Sequence, residues 1–290
     1  MLEDAPPLLM VGCGNMAGAM LAGWLDAGLD PRRVAVVRPS GQAPHPEIPT
    51  LRQLPDRTEA AIILLGVKPQ KLREVAPALA PLVGRKAVLV SILAGVELST
   101  LRAQVPGAGA IVRAMPNLPV RLRKGVIPLV AEAGADAALA KVMPLMAALG
   151  DARPFADEAA FALAGHVAGA APAFLFRFID ALAEAGAALG LEREESLRLA
   201  TRMAEGAAML AAASPAPPGE LARQVASPGG TTEAGLAVLD ENGALAGLLL
   251  RTLAASKQRG EALADAARTG GARLPGPPPT CRARPGGWRW

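Results

Sequence analysis

Two cysteines among 290 residues, Cys13 and Cys281, cannot build a disulfide framework, and no paired Cys/His spacing of a zinc site occurs. Tyrosine is absent, and three tryptophans with five phenylalanines leave few platforms for stacking bases. The only histidines are His45, which reads as a loop residue, and His166, which reads as a packed helix residue. No Ser/His/Asp set, carboxylate pair or metal cluster is visible, so no metal is expected and any chemistry must lean on a bound group. A basic face is lacking as well. The net charge is +4, yet the chain from Arg268 onward carries five arginines and no acid, which leaves about −1 for the remainder. That positive charge belongs to a proline- and glycine-rich tail, residues 269–290, expected to be disordered, and no nucleic-acid partner is expected. The start, "MLEDAPPLLMVGCGNM", has acids and prolines where a signal peptide has basic and then apolar residues. The one long apolar stretch, residues 159–176, is mostly alanine and glycine, and reads as a buried core helix rather than a membrane span. A cytoplasmic protein without a membrane partner is expected.

What is present is an alternation. Short apolar runs at 8–11, 34–37, 61–67 and 87–93 have strand length, and the segments after the first and third repeat apolar residues at helical spacing. Continuous apolar strands separated by helices demand a parallel sheet covered on both faces. "AIVRAM" and "GVIPLV" read as two more strands, followed by a helix from about 135 to 149. From about residue 158 the chain is almost unbroken helix former, interrupted at Pro172 and Gly190. The organisation is an α/β half, residues 1–155, followed by an all-helical half, residues 156–268.

Four stretches of the first half carry chemistry. "VGCGNMAGAML" sets Gly12-x-Gly14-x-x-Ala17 after a strand and at the opening of a helix, the arrangement that lets backbone approach a pyrophosphate. The second strand ends in "VVRPSGQ" and lacks the acid that grips an adenosine ribose; Arg38 and Ser40 suit a 2′-phosphate, which favours NADPH over NADH. "GVKPQ" follows the third apolar run and stands on the carboxyl edge of the sheet, where Lys68 is either a surface lysine or a cofactor contact. "RAMPNLP" is a rigid loop after another strand. In the helical half, "SPGGTT" precedes a helix on which Thr231 or Thr232 can be the N-cap. No capping-box glutamate stands three residues after either, which leaves open donors for an anion, partly opposed by Glu233.

Taken together, "GCGNMAGAM", "VKP", "SILAGV", "RAMPNLP", "HVAGAAPAFLF" and "SPGGTT" resemble, in order and spacing over residues 8–268, the pyrroline-5-carboxylate reductase family. The resemblance implies a Rossmann-type α/β domain followed by an all-helical dimerisation domain that interlocks with a second subunit, giving a homodimer or an assembly of such dimers. It implies NADPH-dependent reduction of L-1-pyrroline-5-carboxylate to L-proline, with NADH as the second cofactor option. Cofactor contacts would come from Gly12, Cys13, Gly14, Asn15, Met16, Arg38 and Ser40, then Gly66, Val67, Lys68 and Pro69, then Ile92, Leu93 and Ala94. The substrate carboxylate would lie on Ser227, Gly229, Gly230, Thr231 and Thr232, with backbone N–H groups of residues 230–232 holding it and the Thr232 hydroxyl near the ring nitrogen. The chain departs from the family pattern at Leu118, Ala170, Ala171 and Phe174. Those changes keep open a different cyclic imine acid as substrate, or a non-catalytic NADPH-binding paralogue.

Overall fold

The computed structural model describes residue 2 and residues 4–84 and 86–269; the expected tail, from residue 270 on, lies outside the described residues. An eight-stranded sheet forms the first half, in the order β3-β2-β1-β4-β5-β6-β7-β8. Its strands are β1 (Leu8–Val11), β2 (Val34–Val37), β3 (Thr50–Leu51), β4 (Ile62–Leu65), β5 (Val88–Ser91), β6 (Ala110–Ala114), β7 (Gly125–Ala131) and β8 (Gly150–Pro154). All neighbours run parallel except β6 and β7. The order reverses at β1, between β2 and β4, which opens a crevice at the carboxyl ends of those strands.

Alternation along the strands explains their continuous apolar sequence. Leu8, Met10, Ile62, Leu64, Val88 and Val90 face one layer with α1 (Asn15–Asp26) and α4 (Asp136–Ala147). Leu9, Val11, Ile63, Leu65 and Leu89 face the other, with α2 (Leu72–Leu79) and α3 (Leu98–Gln104). Trp24 of α1, fully buried, donates its indole N–H to the Leu145 carbonyl of α4 at 2.7 Å and fastens the first layer.

The second half holds α5 (Glu158–Ala168), α6 (Ala171–Ala188), α7 (Arg193–Ala213), α8 (Pro218–Val225), α9 (Thr231–Asp240) and α10 (Ala244–Thr269). The break between the first two falls at Gly169–Ala170, and Pro172 sits in the first turn of α6, where its missing N–H costs nothing. Gly190, at φ +110, ends α6 as expected. α6 and α7 meet over small residues: the Ser196 hydroxyl donates to the Ala183 carbonyl at 2.8 Å, and Gly186 leaves room for it. Only α5 and the end of α10 are docked on the sheet. Gly165 of α5 lies on the Met115 side chain, Gly95 accepts Leu263 of α10, and Ala267 packs on the second layer. His166 bridges α5 to Ser256 of α10 at 3.1 Å, and burial pushes its pKa below the ordinary imidazole value.

The stretch 159–176 is therefore not the buried core helix expected from its composition. Residues 158–188 are apolar and long enough to cross a membrane by length and composition alone, yet they form two helices, and within one chain Leu163, Val167, Leu175 and Phe176 are exposed. Alanine and glycine leave too little bulk to bury such helices against each other, so their apolar side chains stay uncovered.

Among the described residues two ion pairs tie the halves together: Arg268 of α10 donates to Glu97 at 2.6 Å, and a more buried pair stands on β6. The Arg113 side chain, 6% exposed on β6, donates to Glu158 at the start of α5, and its guanidinium lies 4.7 Å from the centre of the Phe161 ring. Glu158 also accepts from Leu98 N–H at 2.9 Å. Glu158→Ala would leave a buried guanidinium against an aromatic face alone. The expected loss is about 2 kcal/mol, below the roughly 3–5 kcal/mol of a fully buried pair because Glu158 is partly exposed. A denaturant midpoint unchanged from wild type would contradict this role.

Candidate active site

The turn after β1 is set by contact between two loops. Gly12 has φ +88, and a Cβ on it would lie 2.9 Å from Gly66 C and O and from Val67 N, so the turns after β1 and β4 touch backbone to backbone. A Cβ on Gly66 would in turn meet Ala17 at 3.1 Å, which explains the small third residue of the motif. Gly14 is the N-cap of α1 in extended conformation; no side chain caps the helix and its first turn has no acid. Among the described residues the N–H groups of Asn15, Met16 and Ala17 have no acceptor, and the space over Gly14 is open. Three free donors at the positive end of a helix, over open space, fit a dinucleotide diphosphate.

The other expected cofactor residues gather at the same edge. Arg38 follows β2 and is close enough to act on Cys13, whose thiol is pushed up by burial and pulled partly back by that positive charge. Ser40 accepts from Gln42 N–H at 3.3 Å in the loop beyond. Gly66, Val67, Lys68 and Pro69 follow β4, with Lys68 exposed at the start of the short turn of helix Pro69–Lys71. Ile92, Leu93 and Ala94 follow β5; Ile92 N–H bonds the Leu65 carbonyl at 3.1 Å, and Leu93 N–H bonds the Ser91 hydroxyl at 3.3 Å. These segments stand at the carboxyl ends of four adjacent strands.

The 227–232 loop is not brought to them within one chain. Ser227, Gly229, Thr231 and Thr232 are exposed, and nothing lies within 4 Å of a Cβ on Gly229. Its geometry departs from the expected one in two respects. The N-cap of α9 is Gly230, neither threonine, and Gly230 N–H is taken by the Ser227 carbonyl at 2.9 Å. The open donors are therefore Thr231, Thr232 and Glu233, one residue later than the family resemblance implies. A glutamate does reach back after all. Glu233 stands three residues after the true cap and accepts from Gly229 N–H at 2.7 Å, holding that glycine at φ +71. Counting from the threonines hid it.

Two further residues escaped the motif reading. Asn117, 5% exposed, donates to the Ala168 carbonyl at 3.0 Å and accepts from Val126 N–H at 2.9 Å, fixing the loop after β6 to the end of α5. Arg52, the first residue after β3, lies against Gly41. A polar side chain inside "RAMPNLP" was a legible signal for the first; nothing in the sequence marked the second. Leu118, beside Asn117, is 50% exposed at the same edge of the sheet. A surface cavity of about 710 Å³ opens at the opposite edge, where β5 and β6 begin. Its Arg102 is already paired with Glu132, so it offers no link to the glycine turns.

A doubly covered sheet with two glycine turns at its switch point, followed by a helical half, defines a nucleotide-dependent oxidoreductase of the two-domain kind. Residues 158–263 match the family model described as pyrroline-5-carboxylate reductase dimerisation, and residues 8–95 match that of the coenzyme F420-dependent NADP oxidoreductases. Pyrroline-5-carboxylate reductase of Pseudomonas aeruginosa is 35% identical over 90% of this chain and 98% of its own length. The Pisum sativum enzyme is 32% identical over 90% and 97%. The solved structure of a pyrroline-5-carboxylate reductase from Coxiella burnetii superposes with a TM-score of 0.79 at 28% identity, over 89% of this chain and 98% of that one. The chain belongs to the pyrroline-5-carboxylate reductase family.

The two glycines of the first turn separate folding from binding. Gly12→Ala meets backbone at 2.9 Å from a left-handed conformation and is expected to lower both stability and dinucleotide affinity. Gly14→Ala meets nothing, so its stability should stay within about 1 kcal/mol of wild type. Its NADPH affinity, read by quenching of protein fluorescence, should still fall.

Proposed function

We propose that this chain reduces L-1-pyrroline-5-carboxylate to L-proline with NADPH. The observation that carries the reading is a pair of helix starts capped by glycine. One, at Asn15–Ala17, suits a diphosphate, and the other, at Thr231–Glu233, suits the carboxylate of a small acid. The family to which the chain belongs supports it.

The residues after β1, β2, β4 and β5 would hold NADPH, which supplies a hydride when bound. The chain's own work is placement. N–H groups of Thr231 and Thr232 would orient the acid and leave its C=N nitrogen beside the Thr232 hydroxyl. Hydride adds to the imine carbon, and the C=N electron pair ends on nitrogen. A proton on that nitrogen makes the carbon strongly electrophilic, and one hydroxyl suffices to hold it there. No buried acid is needed.

The loop meets the cofactor of a second subunit in this reading, which makes the protein a homodimer. The support is the match of residues 158–263 to a dimerisation model and the row of exposed apolar side chains on α6, α7 and α10, among them Phe176, Phe178, Met209 and Leu250. Those helices then cover a partner rather than lipid. A cytoplasmic location goes with the reading and with the free thiol of Cys13. A wider range of cyclic imine acids is the second reading, favoured by the half-exposed Leu118 at the carboxyl end of β6.

The deciding experiment follows NADPH and NADH oxidation with pyrroline-5-carboxylate and a panel of larger cyclic imine acids. Turnover with the first substrate alone supports the leading reading, and equal or better turnover across the panel favours the second. Thr232→Ala is expected to lower kcat by roughly 10²-fold while NADPH affinity changes little; equal losses in both would remove the role given to this hydroxyl. Light scattering should give twice the chain mass or a multiple of that, and a monomer with full activity would overturn the shared site.

A further inference from the structure

We propose that Arg52 is a second arginine of the NADPH 2′-phosphate site and that, with Arg38, it sets the preference for NADPH over NADH. The proposal rests on the cofactor reading above and deepens it.

Strand register puts the two arginines side by side. Val37 of β2 pairs with Leu51 of β3, and Arg38 N–H bonds the Leu51 carbonyl at 2.9 Å, so the next residue along each strand is an arginine. Between them runs the loop 38–42, closed by Gly41 N–H on the Arg38 carbonyl at 2.9 Å. Arg38 Nη1 donates to the Gln42 carbonyl at 3.1 Å, and Arg52 Nη1 reaches the Pro39 carbonyl at 3.4 Å. Gly41 has φ +66, and a methyl on it would lie 3.0 Å from Arg52 Nε and 3.1 Å from Cζ. The glycine is what allows the guanidinium to rest on the loop.

Neither arginine has a carboxylate partner among the described residues; each touches only neutral carbonyls. Like charges at neighbouring positions of adjacent strands repel, and an anion between them turns that cost into attraction. A phosphate monoester carries nearly two charges and takes guanidinium forks in parallel. Ser40 adds to the fit: its oxygen accepts from Gln42 N–H, so its own proton is left to donate. The place is also right. The carboxyl end of β2 is where the adenosine ribose lies when the diphosphate sits on the turn after β1.

Calorimetry with NADPH, NADH, adenosine 2′,5′-bisphosphate and adenosine 5′-monophosphate tests this on wild type and Arg52→Gln, a change at an exposed side chain. Arg52→Gln is expected to weaken NADPH and the bisphosphate by about tenfold each, leaving NADH and the monophosphate within about twofold. Unchanged NADPH affinity, or equal losses for NADPH and NADH, overturns the proposal. Wild type with no preference for NADPH would sink the NADPH reading itself. A wild-type preference that survives in Arg52→Gln sinks only the role of Arg52.

Discussion

A helix that begins on glycine forgoes the side-chain oxygen that would satisfy its first N–H groups, and something else must meet them. This chain does so at α1, capped by Gly14, and at α9, capped by Gly230, in each case with three consecutive N–H groups that lack an acceptor among the described residues. The two starts differ in how they are held. Gly12 is wedged against Gly66 and Val67 by the sheet itself, so the first is rigid before any ligand arrives. The second is braced only by its own Ser227 turn and by Glu233, on a surface open to solvent. Its placement has to come from outside the chain.

That requirement and the composition of the helical half have one cause. Alanine-rich helices bury little in pairs: α6 has one buried residue, Ala183, and α7 two, Ser196 and Ala200. Stability for such elements comes from covering their apolar faces. Sheet docking covers only α5 and the end of α10, through the Arg113–Glu158 pair, the Met115–Gly165 contact and the packing of Gly95 on Leu263. The remaining faces and the open loop call for the same remedy, a second subunit. In the proposed homodimer one interface serves both, so the surface that completes the helical half also completes the site.

Most of the first half was legible because strand and helix periods differ and glycine marks the turns. The strands β1, β2 and β4 are apolar throughout and β5 is so up to Ser91, as a doubly covered parallel sheet demands. What escaped was short or polar: β3 has two residues, and β8, "GDARP", is too polar and too close to a proline to read as a strand. α3 is a single short stretch between turns. In the helical half, the breaks near Pro172 and Gly190 were readable, but the burial of the helices was not. An apolar helix looks the same in sequence whether its cover is its own chain or another. The N-cap of α9 was misplaced because a threonine is the commoner cap, and the error hid the glutamate that does reach back. Arg52 was invisible for a different reason, since its meaning lies in the register of β3 against β2.

The absence of a catalytic acid follows from what the reaction proposed here asks of the protein. The carboxylate is unchanged between the imine and the amine, so the contact with it does not itself strengthen in the transition state. Its value is positional: one anchored end leaves a small ring little freedom about the other, and the reacting carbon is presented rather than searched for. Glu233 tempers that grip, placing a second carboxylate near the same helix start while it holds Gly229 in position. In the reading proposed above, the hydroxyl at the N-terminus of α9 serves the nitrogen, whose charge changes as the C=N bond is reduced. A site built this way needs its two anion grips set at a fixed separation more than it needs a tuned side chain, and in the proposed homodimer that separation is set by how two subunits pack.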